Sequence, residues 1–269
     1  MKTIIVHIED DEGQGARLQA AYDLARATGG HLLCVSVLPY AAYALGDPAM
    51  GAFPVATIME AVDQRRRAER TQIEAELKRQ GVNWDWRACD GDGAERLAEA
   101  ARLADVIIMS AGPYARQAGI RMAIAGDVAL RAPAPVLAVP EGSSGFDVAG
   151  HAVIGWDGSQ EAAKAMRAAL PMLALASAVT LLTIDEKATD YPAARAAAFL
   201  SRHGIHAEVA ERPRGNGSVE GAIRAFLSES GASWMVHGAY GHSRLRQTLF
   251  GGVTRGLLSD APVPLLIAH

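Results

Sequence analysis

The chain has 269 residues, 50% of them apolar and 21% charged, with 26 Lys and Arg against 30 Asp and Glu for a formal net charge of −4. That length allows one large domain or two ordinary ones with a substantial core. The mild acidity argues against nucleic acid as the main partner, and no apolar run approaches the roughly twenty residues that a membrane span needs.

Residues 2–8 read at once as a strand, without the basic, apolar and small-residue zones of a signal peptide, so a cytoplasmic protein is expected. An alanine-rich helical stretch follows, then a strand-like run over 32–37 that contains Cys34. Cys89 comes after another such run. Neither thiol has metal or redox spacing, which suits a reducing compartment. Between the second and third strands the first half carries an insertion: an apolar loop over 40–54 and a long helix through Arg65, Arg66 and Arg67 to Lys78. The loop reads either as cover for the first core or as a lid or partner surface. The arginine triplet, with Glu60, Asp63 and Glu69 beside it, reads as a solvated helix face. Gly91-Asp-Gly93 opens an amphipathic helix, residues 105–108 form a strand, and Ala132-Pro-Ala-Pro135 introduces one more. A Gly/Ser-rich connector over 140–147 then sets a boundary near residue 145, giving domains 1–143 and 150–269.

The second half repeats this order. Residues 152–157 parallel 3–9, 179–184 parallel 32–37, Gly215-Asn-Gly217 parallels Gly91-Asp-Gly93, 233–236 parallel 105–108, and Ala261-Pro-Val-Pro264 parallels Ala132-Pro-Ala-Pro135. Short, continuously apolar runs alternating with longer helical patterns indicate βαβ units and a parallel sheet buried on both faces. The coarse count is five strands and four helices per half. Ligands of such sheets lie beyond the carboxyl ends of the strands, where the strand order reverses.

A glycine-rich string stands at that place in the second half. Gly238-Ala-Tyr-Gly241 follows a strand over 234–236, and Gly251-Gly-Val-Thr254 opens a helix over 249–258. Glycines where a strand ends and a helix begins let backbone N–H groups approach an anion, and the helix dipole favours negative charge there. The spacing resembles the nucleotide loop of the universal stress protein family, G-x2-G-x9-G-[ST]-x-[ST]. Gly238, Gly241, Gly251 and Thr254 match it, while Gly252 stands where the first hydroxyl belongs.

That resemblance implies two tandem flavodoxin-like (Rossmann-like) α/β domains, each a five-stranded parallel sheet with helices on both faces. It implies ATP, ADP or AMP in the C-terminal domain, Mg²⁺ in company with the phosphates, and a stress-response role of binding and regulation rather than dedicated catalysis. Asp157 matches an aspartate near the adenine and ribose, flanked by Gly155 and Trp156. Ile184 matches an aliphatic position against the base. His237, Gly238, Tyr240 and Gly241 form the first arm of the loop, and Gly251, Gly252, Val253 and Thr254 the second. Each has a competing structural role: Asp157 or Ser159 as a helix cap, Ile184 as core, His237 as filler of a sheet–helix junction. The proline-bracketed last strands are expected at sheet edges, pairing with each other inside the chain, with a homodimer of whole chains beyond that.

The first half loses the loop. Aligned from the strand, Gly238 and Gly241 become Ser110 and Pro113; aligned from the Ala-Pro-x-Pro motif, they become Met109 and Gly112. Apolar residues around Met122 to Ala125 replace the second arm, so no nucleotide is expected there. Other chemistry is absent from the sequence: no G-x-x-x-x-G-K-[ST] and no G-x-S-x-G. His203 with His206, and His237 with His242, lack a completing ligand set. Residues 215–221 approach the dinucleotide fingerprint but follow the third strand, where Ser218 reads better as a helix cap. Arg244 and Arg246 lie in the spacer, either toward phosphate or toward water. Two readings from other classes remain open: an interaction module without nucleotide, and an enzyme using the nucleotide as substrate.

Overall fold

A computed structural model describes residues 1–38, 55–112, 116–117, 120–121, 125–185, 190–239 and 252–269. In chain order the first half runs β1 (Thr3–Ile8), α1 (Gln14–Thr28), β2 (His31–Leu38), α2 (Val55–Gln80), β3 (Asn83–Asp90), α3 (Gly93–Ala100), a 3-10 turn (Ala101–Leu103), β4 (Val106–Ala111), the two-residue strands β5 (Arg116–Gln117) and β6 (Ile120–Arg121), α4 (Ala125–Arg131) and β7 (Val136–Pro140). The second runs β8 (His151–Gly155), α5 (Gln160–Leu173), β9 (Ala178–Ile184), α6 (Ala193–Arg202), β10 (Glu208–Arg212), α7 (Val219–Glu229), β11 (Trp234–Gly238), α8 (Gly252–Ser259) and β12 (Leu265–Ala268). Among the described residues this matches the expected main strands and helices of each half, with a small β5–β6 ribbon added to the first.

All the long strands join one ten-stranded sheet in the order β10-β9-β8-β11-β12-β7-β4-β1-β2-β3. Within each half the pairing is parallel. Central strands such as β1 and β4 are buried on both sides, as their unbroken apolar runs require. The outermost strands, β3 and β10, are largely exposed and carry charge, which blunts an unpaired edge. Where the halves meet, β12 and β7 pair antiparallel, with Leu265, Leu266 and Ile267 opposite Ala138, Leu137 and Val136. The two proline-bracketed strands therefore cover each other's edge within one chain. Because that junction is antiparallel, the carboxyl ends of the two sets of strands point to opposite ends of the sheet.

Alternation along the strands builds two core layers. Ile4, Val6, Ile8, Ile154, Trp156, Trp234 and Val236 pack beneath α1, α2, α5 and α6. Ile5, Ile107, Met109, Val153, Leu182 and Met235 pack beneath α3, α4, α7 and α8. Helix starts follow local chemistry: Ser159 Oγ accepts from the Ala162 N–H at 3.1 Å, and Ser218 Oγ from the Gly221 N–H at 3.0 Å. Ser218 is thus a helix cap, as its position after the third strand suggests. The Gly/Ser-rich connector is pinned rather than free. Phe146 and Val148 are each only 4% exposed, the Phe146 ring meets Trp234 edge-on at 6.1 Å, and its N–H donates to Asp23 Oδ2 at 3.0 Å. No described helix is long and apolar enough to cross a membrane.

Candidate functional site

In the second half the strand order reverses between β8 and β11, so the crevice at a switch point lies between their carboxyl ends. Val153, Leu182 and Met235 face the α7–α8 layer. Two residues further along each strand, alternation places Gly155, Ile184 and His237 on that same face. Ile184 is half-buried against this layer. Asp157 lies just beyond β8 and is exposed, with Oδ1 accepting from the Ser159 N–H at 2.9 Å. The helix cap itself is Ser159, which leaves the Asp157 carboxylate near the mouth of the crevice, close enough that its charge acts on His237.

Trp156 is placed differently. Its indole is 6% exposed, packs in the opposite layer, and donates from Nε1 to the Tyr191 carbonyl at 2.9 Å. Only its backbone borders the crevice. Its N–H donates to the Leu182 carbonyl at 2.8 Å, prolonging the β8–β9 ladder.

His237 stands at the sheet–helix junction. Its Nε2 lies 3.3 Å from Thr254 Oγ1 in the first turn of α8. Its Nδ1 is buried and has no hydrogen-bond partner among the described residues. Burial pushes the imidazole pKa down to about 4, against the opposing pull of Asp157, so the ring is neutral at ordinary pH. Gly155 makes room for it: a Cβ there would sit 2.8 Å from Met235 Cε and 3.2 Å from His237 Nδ1. Thr254 is 3% exposed, Val253 half-buried and Gly252 exposed, so the first turn of α8 presents its leading edge to solvent. A Cβ at Gly252 would meet nothing within 4 Å among the described residues, so they do not impose the missing hydroxyl by crowding.

Gly238 has a packing reason of its own. A Cβ there would fall 2.6 Å from the Glu161 carbonyl carbon and 2.8 Å from Ala162 Cα, because α5 begins directly against the end of β11. Tyr240, Gly241 and Gly251, with His242, Arg244 and Arg246, lie outside the described residues. So does the apolar loop over 40–54.

The equivalent crevice in the first half, between β1 and β4, is filled from within. Arg17 of α1 is 1% exposed. Its Nε donates to the His7 carbonyl at 3.0 Å and Nη2 to the Glu9 carbonyl at 2.7 Å. Nη1 donates to Asp11 Oδ1 at 2.8 Å and Oδ2 at 2.9 Å, and to Ser110 Oγ. One guanidinium thus bridges the ends of both strands. Nearby, burial and then the Arg17 charge hold His7 down to about 3. Burial, followed by Asp11, pushes Glu9 up to about 7 although Arg17 opposes it. Reading the sequence did not single out Arg17, Asp11 or this role for Ser110. The available signal was an arginine within the alanine-rich face of a core helix. Eight residues after Glu9 stands Arg17, and eight after the matching Asp157 stands Ala165, which has nothing beyond Cβ.

The profile of the Universal stress protein family matches this chain twice, over residues 1–140 and 150–269. A universal stress protein from Archaeoglobus fulgidus DSM 4304 superposes with a TM-score of 0.77 at 13% identity, over 99% of this chain and 97% of that one. A putative universal stress protein from Pseudomonas aeruginosa UCBPP-PA14 gives 0.60 at 17% identity, over 99% and 92%. At these identities the likeness is one of fold. No curated protein matches the sequence.

Proposed function

The chain belongs to the universal stress protein family, and from that premise we propose that its second half binds an adenine nucleotide at the β8–β11 switch point. The role is one of binding and regulation in a stress response, with any hydrolysis of ATP slow. The observation that carries this reading is the placement of the first turn of α8 beside the end of β11, through Thr254 and His237, with Asp157 across the same crevice.

In this reading the N–H groups at the start of α8 meet the phosphates, where the helix dipole adds to their attraction. The Asp157 carboxylate accepts from ribose hydroxyls. Ile184 supplies an apolar wall for the base, Gly155 and the Trp156 backbone line its edge, and Gly238 keeps the strand end close to α5. Tyr240, Gly241 and Gly251 belong to the same loop by sequence. Mg²⁺ would enter with the phosphates, since no group of three or more His, Cys, Asp or Glu among the described residues is arranged to hold a resident ion. The first half takes no nucleotide at its own switch point, because Arg17 occupies it. A homodimer of whole chains is the proposed assembly.

Titration calorimetry with ATP, ADP and AMP tests the proposal. Binding of one nucleotide per chain, weakened about tenfold or more by Asp157→Ala, is the expected result. No heat and no ligand-induced rise in melting temperature would instead favour an interaction module. Steady turnover abolished by Asp157→Ala would favour an enzyme.

A further inference from the structure

We infer that His237 is the positioning residue of this site: its imidazole secures the first turn of α8 through Thr254, so the Thr254 hydroxyl serves the helix and the phosphates meet the main-chain N–H groups of Gly252 and Val253. The inference rests on the nucleotide reading above, and it gives the Thr254 hydroxyl a role in holding the helix rather than one toward the ligand.

Three features converge on it. Thr254 is 3% exposed, and its hydroxyl is within hydrogen-bond distance of His237 Nε2 at 3.3 Å, so the oxygen is turned inward. The imidazole has a built seat, because Gly155 removes the Cβ that would crowd Nδ1 and Met235. Nδ1 has no partner among the described residues, so within them Thr254 is the ring's hydrogen-bonding contact. Burial keeps the ring neutral, which lets Nε2 either accept from the hydroxyl or donate to it. Further along α8, Arg224 Nη2 donates to the Gly256 carbonyl at 2.6 Å, and Leu257 and Leu258 sit in the core. The body of α8 is therefore held by α7 and the sheet, while its first turn is tied to β11 by the His237–Thr254 contact. A misplaced turn would aim its N–H groups wrongly, which is how a side chain that touches no ligand can govern affinity.

The test is a double-mutant cycle on ATP affinity by calorimetry, with melting temperatures confirming that each variant is folded. Thr254→Val and His237→Met should each weaken binding about fivefold, the equivalent of one net hydrogen bond. The double variant should be no weaker than the worse single one. His237→Gln, long enough to reach the hydroxyl, should recover most of the affinity, and the amide resonances of Gly252 and Val253 should shift on ATP addition. If Thr254→Val weakens binding while His237→Met binds like wild type, or if the two losses simply add, the hydroxyl contacts phosphate itself and the inference is overturned while the nucleotide reading stands. If His237→Met does not fold, His237→Asn, too short to reach Thr254, takes its place in the cycle. Failure of the wild-type chain to bind any adenine nucleotide overturns both.

Discussion

The two switch-point crevices have the same backbone plan, and their contents are exchanged. In the first half Gly13 lies where α1 begins and Ser110 on the facing strand; a Cβ on Gly13 would run into Ser110 Oγ and lie 3.1 Å from Glu141 Cγ. In the second half the glycine is on the strand, as Gly238, and the helix contributes Glu161 and Ala162. The close approach of helix to strand has been kept while the residue that permits it has changed sides. Arg17 against Ala165 is the other exchange. One copy ties its strand ends with its own guanidinium, and the other has a buried alanine at the matching helix position. A repeat can thus keep its backbone plan while one copy ties its strand ends together with an internal cation.

The strongest way to break this comparison is to remove the internal cation. Arg17→Met leaves the Asp11 carboxylate and two strand-end carbonyls without their donor, and should cost about 3 kcal/mol or more of stability in denaturant unfolding. A loss below 1 kcal/mol would mean that water replaces the guanidinium without penalty. Next is Gly238→Ala, which forces a methyl group onto the Glu161–Ala162 backbone and should cost about 2–3 kcal/mol. Gly13→Ala meets the Ser110 side chain instead, and Ser110→Gly removes that clash while giving up an acceptor for Arg17, so the double variant should lose less stability than the two single changes summed; strict additivity would refute the exchange of sides.

A smaller effect depends on pH. Glu9 is held up to about 7 in the fold, above its ordinary carboxylate value near 4.5. The folded protein therefore keeps a proton that the unfolded chain releases, and stability falls as pH rises between those two values. With its side chain 27% exposed, the loss should be about 1–2 kcal/mol. Glu9→Gln should flatten that part of the pH–stability profile, and an identical slope in the variant would assign the effect elsewhere. Smallest of all is Gly252→Ser, where a Cβ meets no atom of the described residues within 4 Å. It should leave stability within about 0.5 kcal/mol and tighten ATP binding by up to about fivefold, measured by melting and calorimetry.

Much of the architecture could be read from residues alone. Unbroken apolar runs, the repeat, and the Ala-Pro-x-Pro boundaries of the last strands carried fold class and strand count, because buried parallel strands have few other ways to be written. Ser159 and Ser218 were legible as caps since capping is local. The arginine triplet follows its solvated reading in part: Arg65 reaches Asp10, Arg66 lies 3.8 Å from Asp90, and Arg67 is exposed. What escaped was long-range. Arg17 looks like a surface residue until Ser110, 93 positions away, is brought beside it. Gly238 reads as an anion-binding glycine, and only the arrival of α5 reveals a second demand on it. The inward turn of Thr254 likewise depends on His237, a neighbour in space whose seat Gly155 provides.

The antiparallel seam between β7 and β12 has a further consequence. Strand-edge association, when it occurs between separate molecules, responds to dilution; here the partners are covalently joined, so their local concentration is fixed by the connector and the seam persists at any protein level. Severing residues 141–150 would turn a unimolecular equilibrium into a bimolecular one, and only then should scarcity of the protein pull the halves apart.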